Sequence, residues 1–126
     1  MGWSLIETGL KVRLSKSVPR IVHEKLRENL TDACASLALD FDELRHFILH
    51  PGGAKVLDAF EEVLGMEPGG LAYSRGVLRE CGNMSSVTVL FILERFLEEG
   101  KFAPRDLGVL SAMGPGFSAE HVFFRC

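Results

Sequence analysis

The sequence predicts an α/β fold in which helices and sheet pack in layers, with one helix enclosed between sheets. Three observations lead there. GLKVRLS alternates Leu10, Val12 and Leu14 with Lys11 and Arg13, the period of a half-buried strand. Val22, Leu26, Leu30, Ala33 and Leu37 recur at helical spacing, with Glu24, Lys25, Arg27, Glu28 and Asp32 largely off that stripe. SSVTVLFILERF is apolar nearly all round for two turns, with charge only from Glu94 onward, as in a helix covered on most sides.

The remaining elements follow in order. SVPR starts the first helix, since Pro19 is tolerated in a first turn. HFIL reads as a short buried strand, closed by Pro51 and two glycines. AKVLDAFEEVLG places Val56, Leu57, Phe60, Val63 and Leu64 on one helix face and Asp58, Glu61 and Glu62 on the other, stopped by Gly65. LAYSRGVLRE is a shorter third helix. After the apolar helix, two closing strands lie around DLGVLSAM and EHVFFRC, joined through GPGFSA. A helix between sheets demands strands on both sides, and the chain has few to supply them.

Bulk composition narrows the function classes. At 126 residues the chain is one domain, 1–126, and 47% hydrophobic with 25% charged residues is ordinary for a folded protein. A net charge of −3 argues against nucleic acid or an anionic membrane surface as a partner. No apolar run approaches the roughly 18–20 residues of a membrane span, and MGWSLIETG lacks the features of a signal peptide. Cys34, Cys81 and Cys126 form no paired spacing, which fits a reducing cytoplasm.

Two loops carry candidate chemistry. His50 stands at a strand end directly before Pro51-Gly52-Gly53. It fits either a histidine bonded to a loop carbonyl or a donor beside a backbone open to an anionic ligand. Asn83, in ECGNMSS, fits either a helix N-cap, with Ser85 and Ser86 as competitors, or an amide aimed at a developing oxyanion. AMGPG, residues 112–116, fits a hairpin turn. His46 and His50 lie in a strand-like run, which disfavours a metal site, and no phosphate loop, dinucleotide motif or GxSxG elbow is present.

Together HPGGAKVLD, SRGVLRECGNMSSVTVLFILE and GVLSAMGPGFSAEHVFFR resemble the C-terminal region of type III polyketide synthases, the chalcone and stilbene synthase superfamily including bacterial alkylpyrone-type enzymes. GW...TGLKVRLSKSVP resembles the start of that region, so the resemblance covers nearly the whole chain. It implies a thiolase-like fold, here the C-terminal half of an α-β-α-β-α layered sandwich that dimerises. It implies acyl transfer by decarboxylative condensation of malonyl-CoA with an acyl-CoA starter, with CoA thioesters as substrates and no further cofactor. By the same resemblance His50 and Asn83 match the catalytic histidine and asparagine. Ser85, Met113, Gly114, Pro115 and Gly116 match the substrate pocket, and Gly52, Gly53 and Lys55 the CoA contact. The family's nucleophilic cysteine belongs to an N-terminal half, and none of the three cysteines here matches its context. The chain alone is therefore expected to be inactive. The alternative is a non-catalytic acyl-CoA-binding or assembly module on the same fold. Ala112, Met113 and Cys81 depart from the plant pattern of Gly, Phe and Tyr, which argues against a plant-flavonoid product and fits a bacterial alkylpyrone or resorcinol-type synthase at least as well.

Overall fold

A computed structural model of the chain describes residues 2–13, 17–114 and 118–126. An antiparallel hairpin of β1 (Gly2–Ile6) and β2 (Gly9–Arg13) comes first. Sequence patterning shows only β2, because GWSLI has no charged residue to mark an outer face; β1 is defined by its register with β2, Trp3 opposite Val12. Then follow α1 (Val18–Ser36), β3 (Leu44–Leu49), α2 (Ala54–Leu64), α3 (Ala72–Cys81), α4 (Thr88–Glu99), β4 (Leu107–Met113) and β5 (Ala119–Arg125).

The main sheet has the order β3-β4-β5, with β3 parallel and β5 antiparallel to the central β4. Strand alternation sends successive side chains to opposite faces. Leu107 and Val109 join Leu49 and Phe123 against α1 and α2, whereas Leu110, Ile48 and Phe124 meet Val77 of α3 and Ile92 and Phe96 of α4. The sheet thus carries a helix pair on each face. Among the described residues, no helix is long and apolar enough to cross a membrane.

Three sequence expectations change in detail. The α1 stripe ends in Cys34 rather than Leu37, since the helix stops at Ser36 and Leu37 caps it in solvent, 59% exposed. Glu61, expected on the outer face of α2, is buried. Its carboxylate accepts from the Gly69 and Leu71 amides and from both Nε and an Nη of Arg75, the last at 2.6 Å. The Arg75 hydrogen bonds, more than any other influence, hold its pKa below the usual carboxylate range. Such a group is tolerated inside because both oxygens have donors and one of those donors is a guanidinium. Third, α4 is covered by sheet on one side only. Val89, Ile92 and Phe96 are buried, but Leu90 is 59% exposed and Phe91 39%.

Gly108 on β4 is required by packing. A Cβ there would lie 2.3 Å from Cζ of Phe124, whose ring packs 5.9 Å from that of Phe96. Gly108→Ala is therefore expected to destabilise the fold by about 1–3 kcal/mol through overpacking, read by urea unfolding. An unchanged midpoint would mean that Phe124 has another place to go.

Candidate active site

The C-terminal end of β3 leads into the first loop. The His50 amide extends the ladder by donating to the Ser111 carbonyl at 2.9 Å, and the Gly52 amide donates back to the His50 carbonyl at 3.0 Å. From α3, the buried Ser74 hydroxyl donates to the Leu49 carbonyl at 2.9 Å, pinning the strand end from the other side. His50 follows Ile48 by two residues and so shares its α3/α4 face. Its Nδ1 is buried without a hydrogen-bond partner among the described residues, so that nitrogen is not bonded to a loop carbonyl there. Burial lowers the ring's pKa from its ordinary 6.5, favouring neutral imidazole.

Past Pro51, α2 begins at Ala54 with Gly53 before it. Gly53 has an extended backbone and nothing within 4 Å of a notional Cβ, so neither conformation nor internal packing requires a glycine there. Gly52 would meet only ordinary contact from Val56, at 3.6 Å. Lys55 is exposed on the first turn of α2.

The second loop leaves α3 at Gly82, whose φ of 73° and ψ of −169° lie in a region essentially reserved for glycine. Asn83 follows. Its Oδ1 accepts from the Ser85 amide at 2.9 Å, and its Nδ2 donates to the Gly52 carbonyl at 3.2 Å. Asn83 therefore does not cap α4, and neither do Ser85 or Ser86. A short 3₁₀ turn, Ser85–Val87, intervenes, and Thr88 Oγ1 accepts from the Met84 amide instead. Ser85 itself sits at φ 62°, a left-handed conformation that costs a serine about 1–3 kcal/mol.

The Asn83–Gly52 bond brings the HPGG and GNMSS loops together, though 31 residues separate its partners in sequence. Nothing in the sequence marked the Gly52 carbonyl as the acceptor; only the parallel crossover places it there. Met113 packs against the cluster on the α1/α2 side, and the Gly114 amide donates to Ser118 O at 2.8 Å, closing the stem of the hairpin. Pro115 and Gly116 lie outside the described residues.

Two of the three thiols are poorly prepared as nucleophiles. The buried Cys34 thiol is pushed up by desolvation and by Asp40, and Cys126 is pushed up by desolvation and by Asp106. Cys81 is exposed at the end of α3. His46, on the same strand as His50, is committed elsewhere: its Nε2 meets Asp106 Oδ2 at 2.8 Å and its ring packs 4.9 Å from Phe96.

A histidine kept neutral by burial makes the unfolded chain the better proton acceptor, so this contribution to stability is lost as pH falls below the ordinary 6.5. NMR titration is expected to give His50 a midpoint below that value. A midpoint at or above it would show a charged partner for the ring.

The whole chain, residues 1–126, matches the family model for chalcone and stilbene synthases, C-terminal domain. It is 38% identical over 125 residues to the 1,3,6,8-tetrahydroxynaphthalene synthase of Streptomyces peucetius subsp. caesius, covering 99% of this chain and 33% of that protein. The crystal structure of PKS-I from the brown alga Ectocarpus siliculosus superposes with a TM-score of 0.86 at 25% identity, over 98% of this chain and 34% of that one. That of 1,3,6,8-tetrahydroxynaphthalene synthase from Streptomyces coelicolor A3(2), a bacterial type III polyketide synthase, gives 0.85 at 31% identity, over 97% and 35%. The chain thus spans about a third of the length of these relatives, and its α/β architecture is the thiolase-like one they share. By sequence and by fold, it belongs to the chalcone and stilbene synthase family, as the C-terminal domain.

Proposed function

We propose that this domain supplies the histidine and asparagine of a type III polyketide synthase that condenses malonyl-CoA with an acyl-CoA starter. The Asn83–Gly52 bond carries this reading, because it holds the asparagine amide beside the loop that His50 opens. One Nδ2 hydrogen is used in that bond and the other remains for a ligand oxygen. His50 adds an imidazole whose buried Nδ1 has no other partner among the described residues.

In such a step the bond between the malonyl carboxylate and its α-carbon breaks, and CO2 leaves. The electron pair moves into the thioester as an enolate. Donors from His50 and Asn83 on that oxygen stabilise the charge as it forms, and being fixed beforehand they need no reorganisation. The α-carbon then attacks the acyl thioester of the starter, held on a cysteine sulfur that leaves as thiolate. Beside a histidine a thiolate is favoured, but burial keeps Cys34 and Cys126 protonated. None of Cys34, Cys81 or Cys126 matches the context of the family's nucleophile, so, as the resemblance implies, the nucleophile in this proposal comes from the portion of the relatives' length that this chain does not span.

The open space at Gly53 and the exposed Lys55 support a CoA contact at the first turn of α2, where backbone N–H groups favour a phosphate. Ser85, Met113, Gly114, Pro115 and Gly116 are assigned to the walls of the acyl pocket. The exposed apolar side of α4 supports a further protein layer packed there. The family resemblance adds, as part of the proposal, a homodimeric cytoplasmic enzyme that takes CoA thioesters as substrates.

The test is malonyl-CoA decarboxylation by the synthase containing this domain. His50→Gln and Asn83→Ala are each expected to lower kcat by about 10²–10³-fold, the usual effect of removing one oxyanion donor. Condensation that survives both changes would leave a binding module in place of a catalytic one. The 126-residue chain by itself is expected to release no CO2.

A second expectation concerns the uncovered side of α4. At high concentration the isolated chain should self-associate in sedimentation, and Leu90→Glu with Phe91→Glu should return it to monomer. A monomer without those changes would mean that the face needs no cover.

A further inference from the structure

We propose that Asn29, His121 and Ser111 form a positioning relay, fixing the His50 end of β3 and the stem of the 114–118 hairpin in one register. The contacts run in a single direction across the sheet. Asn29, exposed on α1, presents Oδ1 to His121 Nε2 at 2.6 Å. A carbonyl oxygen only accepts, so Nε2 carries the hydrogen, and the neutral ring then accepts at Nδ1. The Ser111 hydroxyl donates to that Nδ1 at 2.8 Å. Ser111 is 5% exposed, so its hydroxyl has little water to turn to. Its carbonyl accepts the His50 amide at 2.9 Å.

One residue therefore joins the His50 loop to the β4–β5 hairpin. Ser111 bonds His50 through its backbone and β5 through its side chain, and Met113 and Gly114 follow it directly into the hairpin. A one-residue slip of β5 against β4 would break the Ser111–His121 bond and turn the β5 side chains to the other face. Helix α1 bonds His121 of β5, two strands away from β3 in the sheet order, and becomes the outer anchor of this arrangement. Burial also favours the neutral ring that the relay requires.

The importance of this register rests on the function proposed for His50, but the test reads geometry and not activity. In the 15N-labelled chain at about pH 7, His121 is expected as the neutral Nε2–H tautomer. Losing one buried hydrogen bond in Ser111→Ala should speed exchange of the His50 amide about three- to tenfold. The amides of Val109 and Phe123 should change by less than about twofold, and Ser111→Thr should restore slow exchange at His50. Asn29→Ala changes only an exposed helix position and serves if Ser111→Ala does not fold; it should leave His121 divided between tautomers and speed the same amide. An Nδ1–H or doubly protonated ring in the unmodified chain would overturn the relay. So would an unchanged His50 amide in the variants, or a uniform rise in exchange across the sheet.

Discussion

Strand β4 is the constraint on which everything else depends. It is paired on both edges and covered on both faces, so each of its residues has a fixed task. Leu107 and Val109 hold α1 and α2, and Leu110 meets the α3/α4 side. Gly108 leaves the space that the Phe124 ring occupies. Through Phe124 that space reaches Phe96, and so sets how closely α4 approaches the sheet. At its far end the same strand supports His50 by a backbone bond and opens into the hairpin.

The site built at that end is rigid in its parts and lightly joined between them. Each loop is shaped by its own backbone, with Gly82 and the left-handed Ser85 on one side and the tight His50–Gly52 turn on the other. Between them runs the exposed Asn83–Gly52 bond, the kind of contact that contributes about 1 kcal/mol at most to stability. Its effect lies in aim: it fixes where the amide points before any ligand arrives.

Much of this was legible in local pattern, and the parts that were not share a physical cause. The helices and the closing strands announce themselves by periodicity, since each buries one face or stripe. Patterning assigned Glu61 to the outside because an acid on a helix normally faces water. Its donors come from the loop after α2 and from Arg75, which no window around Glu61 reveals. Asn83 was recognisable as a residue with a task, but the helix-cap alternative failed because a 3₁₀ turn stands between it and α4. The all-round apolarity of SSVTVLF predicted a helix covered on most sides, and here Leu90 and Phe91 are exposed.

The parallel pairing of β3 with β4 has a consequence for the order of folding. Its partners are joined through three helices, so loop closure must precede the reward of pairing. The hairpin of β4 and β5 needs no such wait and can form early. The Asn83–Gly52 bond, which lies within that crossover, therefore joins the two loops late. A newly made chain would bury its core helices before it owned a site, and any ligand able to bind that site would select molecules that had completed the crossover.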